Sequence, residues 1–151
     1  MNKTRGYAAV GLDNPKFQCN VGSALRAVAV YEAAFLAASG KRFGKSTADT
    51  TKAYRHRPYF RVDDILDIIP YDCVPVAVDL VEGAESLVSY QHPERAFYIF
   101  GAEDATLGAR ILCKCRDAVF VPTSHCMNLA ATVNVVLYDR MVKLNKEHNN
   151  E

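Results

Sequence analysis

The chain has 151 residues, half of them hydrophobic, with 18 basic and 17 acidic side chains and a formal net charge of +1. That composition fits one globular domain with a real core, and excludes a disordered chain or a broadly basic nucleic-acid coat. A near-neutral total leaves room for a local basic patch, and no run approaches the roughly 18 apolar residues of a membrane span. No apolar signal-peptide segment follows Met1, so a cytoplasmic protein is expected. The five cysteines include no C-x-x-C, and Cys113 and Cys115 are too close for a usual zinc pair. They read as reduced thiols, mostly buried, with no metal.

In chain order, residues 6–12 form a probable first strand closed by the turn signal Asp13-Asn14-Pro15. Apolar residues at 21, 24, 25 and 28 then follow a helical period over 21–32, with Asn20 suited to the N-cap. Residues 33–38 continue as a second buried strand, stopped by Ser39-Gly40. Two basic stretches with aromatics follow, 41–46 and 52–57. They read as a solvated loop and short helix, or as RNA phosphate and base contacts. Arg61 and Val62 lead to a short helix over 63–69 with an acidic first turn. Residues 74–81 are a near-continuous apolar run, as in a strand covered on both faces. A loop through Pro93 leads to a buried strand over 96–100, broken at 101–104. A helix over 106–115, a strand over 118–121 and a long helix from Cys126 to about Leu144 complete the domain, and the polar tail from Asn145 is expected to fray.

Strands alternating with helices, and apolar throughout, argue for a mostly parallel sheet flanked by helices. Ligands bind such sheets beyond the carboxyl ends of the strands. Three loops fall there, 15–20, 101–107 and 122–128, and the polar, tight start of the last helix points to a cofactor pocket.

Within these loops, Arg26 leans back along its helix over Gly22, which has no side chain to block it. That either delivers a guanidinium beside Asn20 or leaves an exposed Arg on an amphipathic helix. Gly101 marks a close backbone approach. Glu103, two residues on, suits a helix N-terminus, an amine or a ribose, or simply charges a strand-to-helix turn. No glycine-rich phosphate loop occurs, which removes the main support for NAD or a nucleoside triphosphate. The four histidines, at 56, 92, 125 and 148, read as surface or loop residues. His125 adjoins Cys126, but neighbours in sequence rarely form a nucleophile–base bond.

Three motifs, taken in order, resemble the SPOUT class of RNA methyltransferases in its SpoU (TrmH-like) branch. They are Asn20-x-Gly22-x-x-x-Arg26, then Phe100-Gly101-Ala102-Glu103, then Val121-Pro122 followed by Met127-Asn128-Leu129-Ala130 and the helix through Tyr138. The third looks most like the small single-domain members that methylate the tRNA wobble ribose. The resemblance spans almost the whole chain, 1–151 as one domain. It implies a SPOUT fold with a C-terminal trefoil knot, an exception to the rule against threading. It also implies a homodimer, S-adenosyl-L-methionine bound in the knot, no metal, and methyl transfer to a ribose 2′-OH, leaving S-adenosyl-L-homocysteine. By the same resemblance, Arg26 is catalytic and Asn20 supports it, while Glu103 and Asn128 hold the loops and help orient RNA. Leu80, Gly101, Val121, Cys126, Met127 and Leu129 would line the cofactor pocket. The apolar length of the last helix, Leu129, Val133, Val136, Leu137 and Met141, would pack on the knot and on a partner subunit. Two positions depart from the family pattern. Cys126 stands where Ser is usual, and where another glycine usually follows shortly after Glu103, Asp104-Ala105-Thr106-Leu107 intervenes and Gly108 comes later. An rRNA or other RNA target, or a catalytically idle cofactor- and RNA-binding protein, are the alternatives.

Overall fold

In a computed structural model of the chain, residues 6–44 and 55–148 are described. Parts of both basic stretches, residues 45–46 and 52–54, lie outside the described residues, as does the end of the tail, 149–151. The elements are β1 (Tyr7–Leu12), α1 (Gln18–Val30), β2 (Leu36–Ser39), β3 (Tyr59–Val62), a 3₁₀ turn (Ile65–Ile68), β4 (Val74–Val78), β5 (Glu85–Ser86), β6 (Arg95–Phe100), α2 (Ala109–Leu112), β7 (Asp117–Phe120) and α3 (Leu129–His148). They build one seven-stranded sheet in the order β3-β2-β1-β6-β4-β7-β5, and every pairing is parallel. The expected α/β class, a parallel sheet flanked by helices, is what the chain adopts.

Alternation along the strands sends side chains into two cores. Val10 and Tyr98 sit opposite each other in register and face the core that contains Val28 of α1 and Val133 and Val136 of α3. Their neighbours Ala9 and Phe97 face the other core, with Ile65 and Ile111. Burial on both faces explains why β1 and, from Ala96 onward, β6 carry no charged residue.

Several expected boundaries move. Asn20 is not the N-cap; Phe17 is, and Asn20 lies buried inside the first turn of α1. The β4 strand stops at Val78, because the Asp79 carboxylate turns back to accept from the Leu80 amide. Leu107 is buried with its amide bound to Asp79, which keeps 106–108 out of the helix and reduces α2 to four residues. At Leu129, α3 begins three residues later than expected, and it continues to His148 through the start of the expected frayed tail. The strands β3 and β5 were not anticipated: β3 alternates aromatic, exposed and charged residues at a sheet edge, and β5 has only two residues. Most of the cysteines are not buried. Only Cys73 is; Cys19, Cys113 and Cys126 are exposed and Cys115 is intermediate, all as free thiols.

His92 lies in a loop, as expected, but not at the surface: its ring is wholly buried. Its Nε2 lies 2.7 Å from Asp139 and its Nδ1 2.6 Å from the Tyr98 hydroxyl. A carboxylate only accepts, so Nε2 carries the proton and Nδ1 accepts from Tyr98. Arg140 donates to Tyr98 at 3.2 Å and to the carbonyls of Pro93 and Glu94 at 2.6 and 2.7 Å. Lys143 completes the network, bonding Asp139 at 2.8 Å and the carbonyls of Leu87 and Tyr90. This chain of bonds fastens the second half of α3 to the segment leading into β6.

Candidate functional site

Four strands, β1, β6, β4 and β7, end side by side, and each exits into a loop without regular structure. Backbone bonds run between neighbouring exits, from the Asp13 amide to the Phe100 carbonyl and from the Asp79 amide to the Val119 carbonyl, both 2.9 Å. Gly101 permits the tightest part of this edge. A Cβ there would lie 3.1 Å from the Ala105 carbonyl oxygen and 3.5 Å from the Asp79 carboxylate.

Side chains then join the loops. The Glu103 carboxylate accepts from the Lys16 amide at 2.7 Å, the Phe17 amide at 3.4 Å and the Asn20 amide group at 2.8 Å. The Asn20 side-chain oxygen accepts from Asn128 at 2.9 Å. Asn128 in turn accepts from the Ala131 amide at 3.2 Å, which caps α3. One bridge, Glu103–Asn20–Asn128, therefore links the exits of β6, β1 and β7. Partial burial raises the pKa of the Glu103 carboxyl, but the bonds from Asn20, Lys16 and Phe17 outweigh it, so the group stays below the ordinary carboxylate range.

The exposed half of the site is charged. Arg42, beyond the end of β2, makes two bonds to Asp104 at 2.8 and 2.9 Å and a third to the Asn14 carbonyl at 2.8 Å. The Arg42 guanidinium holds the Asp104 carboxyl down at about 2. Lys16 lies 3.9 Å from the same carboxylate.

The residues singled out from the sequence divide into three groups. Asn20, Glu103 and Asn128 meet in the bridge. Leu80, Gly101, Val121, Cys126, Met127 and Leu129 lie on the exits of β4, β6 and β7. Of these, Leu129 is buried, Gly101, Val121 and Met127 are half-buried, and Cys126 and Leu80 are exposed, Leu80 by 75%. Arg26 stands apart. It is exposed on α1 and, among the described residues, makes no hydrogen bond or ion pair, so nothing ties it to Asn20. Sequence reading missed Asp79, whose carboxylate holds both the Leu80 and Leu107 amides at 2.8 and 2.7 Å. It also missed Arg42. An Asp directly after an apolar strand was the one available sign of the first; the second left none beyond its place in a basic stretch. Among the described residues, no group of His, Cys, Asp and Glu is arranged to hold a metal ion, and no helix is long and apolar enough to cross a membrane.

The same fold recurs in solved structures. The SpoU methyltransferase AviRb from Streptomyces viridochromogenes superposes with a TM-score of 0.81 at 18% identity, covering 93% of this chain and 61% of that one. The chain thus spans about three-fifths of that protein's length, and AviRb has also been solved in complex with AdoMet. A. aeolicus TrmH/SpoU tRNA modifying enzyme gives 0.81 at 15% identity, covering 97% and 80%. A structure solved to explain 2-OH methylation of C/U34 on tRNA gives 0.79 at 19% identity, covering 95% and 94%. No curated protein sequence matches the chain. The sequence model of the SpoU rRNA Methylase family, however, matches residues 7–138, which include every strand and the joined loops of the site, and the chain belongs to that family.

Proposed function

We propose that the protein is an S-adenosylmethionine-dependent RNA methyltransferase that acts on a ribose 2′-OH of tRNA, with the wobble ribose favoured. The observation that carries this reading is the Glu103–Asn20–Asn128 bridge, which draws three strand exits into one site in a chain of the SpoU family. A neighbour of the same fold, solved to explain 2-OH methylation of C/U34 on tRNA, supports the tRNA target.

The loop residues suit the cofactor. Leu80 leaves an apolar side chain uncovered at the β4 exit, which an adenosine would shield from water. Gly101, Val121, Cys126, Met127 and Leu129 offer backbone groups along the same edge. S-adenosylmethionine supplies an electrophilic methyl carbon, so the protein's own task is positioning and charge control. A guanidinium is a cation with no ready lone pair for a proton, so Arg26 serves by its charge and not as a base. It stabilises the negative charge developing on the 2′ oxygen while water or a neighbouring phosphate takes the proton. Asn20, bonded to Glu103 and Asn128 and not to Arg26, acts with those two residues to hold the loops and orient the RNA. The same reading includes a trefoil knot, a cytoplasmic location and a homodimer. Exposed Val30, Tyr138 and Met141 on the packed pair α1 and α3 support the dimer.

Methyl transfer from labelled S-adenosylmethionine to total tRNA, followed by nucleoside analysis, tests the proposal. A labelled 2′-O-methyl nucleoside is the expected product. The family's description favours a second target, rRNA, and label in rRNA with none in tRNA would establish it. Cofactor binding by calorimetry without transfer to either RNA would mark an idle protein.

A further inference from the structure

We propose that Arg42 is a positioning residue for this methyl transfer, a brace that sets the 101–107 loop against the β1 exit and so keeps Glu103 on Asn20. The proposal rests on the functional reading above.

The 101–107 loop has little backbone bonding of its own. Its internal bond, from the Ala105 amide to the Ala102 carbonyl, is long at 3.4 Å. Carboxylates hold it instead. Asp79 takes the Leu107 amide, Glu103 reaches the start of α1, and Asp104 reaches Arg42. Asp104 follows Glu103 directly, so a force on one is felt by the other. The guanidinium is also bonded to the Asn14 carbonyl, two residues before Lys16, whose amide Glu103 accepts. Arg42 thus fixes both sides of the Glu103 contact at once, its planar fork making two bonds to the carboxylate and one to the carbonyl.

The backbone is shaped to deliver it. Gly40 has φ +85°, and a Cβ there would lie 2.3 Å from the Asn14 side-chain oxygen. Asn14 itself has φ 52°. Two left-handed residues therefore face each other where β2 and β1 end, a conformation favoured by Gly and Asn and by few others. The Ser39 hydroxyl locks the same turn, accepting from the Asn14 amide and donating to Asp13, both at 3.0 Å. This turn places Arg42 over Asn14. The brace stands on Asp104, the first residue of the segment that separates Glu103 from Gly108.

The test compares wild type with Arg42→Ala, Asp104→Ala, the double variant and the charge swap Arg42→Asp/Asp104→Arg. S-adenosylmethionine affinity is read by calorimetry, the Lys16 amide by hydrogen exchange, and bulk tRNA affinity in parallel. Each single variant is expected to weaken cofactor binding about tenfold and to speed Lys16 exchange, with the double variant no worse than either. Neither the swap nor Arg42→Lys is expected to recover the loss, because a carboxylate at position 42 cannot donate to the Asn14 carbonyl and Lys lacks the fork. Bulk tRNA affinity should stay within about twofold, and the melting midpoint should not move, because exposed ion pairs contribute little to stability. Unchanged cofactor affinity or unchanged exchange in Arg42→Ala overturns the brace. So does loss of tRNA binding in Arg42→Ala together with tighter binding in Asp104→Ala, which would make Arg42 a direct phosphate contact. A wild-type protein that binds no S-adenosylmethionine overturns the functional reading itself, and this role with it.

Discussion

The two ends of the sheet are each tied by a polar network, but the networks differ in burial and in what they join. At the C-terminal edge, Glu103, Asn20 and Asn128 link loops that are open to solvent on one side. At the other edge, His92, Tyr98 and Arg140 are buried and link a helix to a strand. Burial strengthens each bond and makes each lost partner costly. The closed network is therefore suited to fastening α3, and the open one to holding groups that must meet a ligand. Activity and stability should separate along this line.

The largest effect is expected at the open edge. Arg26→Ala should lower methyl transfer about 10²- to 10³-fold, the range for loss of one group that stabilises developing charge. Cofactor affinity and the melting midpoint should hold, since Arg26 is exposed and unpaired among the described residues. Full activity in Arg26→Gln, which keeps a polar side chain but no charge, would remove the charge role assigned here.

At the closed edge the effect should be the reverse. His92→Ala leaves the Tyr98 hydroxyl and the Asp139 carboxylate without their partner, and should destabilise the fold by about 2–4 kcal/mol in denaturant titration. Residual activity per folded molecule should be unaffected. Burial holds the His92 pKa below its ordinary value of 6.5, against the pull of Asp139 and with the help of Arg140 and Lys143. The native state thus resists a proton that the unfolded chain accepts. Stability from this group is complete above pH 6.5 and falls as the pH drops below it, by at most about 1.4 kcal/mol per pH unit. In His92→Gln that slope should disappear. A slope that survives the substitution would assign it elsewhere.

Smaller effects should sharpen the contrast. Glu103→Gln keeps one acceptor oxygen where three donors now bond, and should weaken S-adenosylmethionine binding about tenfold while costing roughly 1 kcal/mol of stability. If stability falls far more than affinity, the open bridge is structural after all. Cys126→Ser should be the mildest. Cys126 is exposed, so stability should change by less than about 0.5 kcal/mol. Any gain in cofactor affinity would mark the thiol as a weakened contact.

The same division runs through what could be read from the chain. The strands of the sheet centre were legible because burial on both faces demands unbroken apolar runs, as in residues 96–100. The strands β3 and β5 were not, since an edge pair such as Leu36 with Tyr59 exists only once the sheet is assembled. The helix α3 was legible as a helix, and four of its five expected packing residues, Leu129, Val133, Val136 and Leu137, are buried within the chain itself. Met141 is the exception and remains outward, 39% exposed beside Tyr138. Asn20 was chosen for the right loop with the wrong local role. An Asn before a periodic run reads as a cap, and only a carboxylate arriving 83 residues later turns it inward.

The sequence by itself determined the α/β class, the presence of the central strands and the three loops that matter, because periodicity, turn residues and motif order are local properties. Tertiary structure alone decided which polar groups meet. Asn20 and Asn128 are 108 residues apart, and Arg42 and Asp104 are 62 apart. His92 and Asp139 are separated by 47. Bonds over such distances are set by strand order and by where each strand ends, and nothing in the residues on either side of them carries that information.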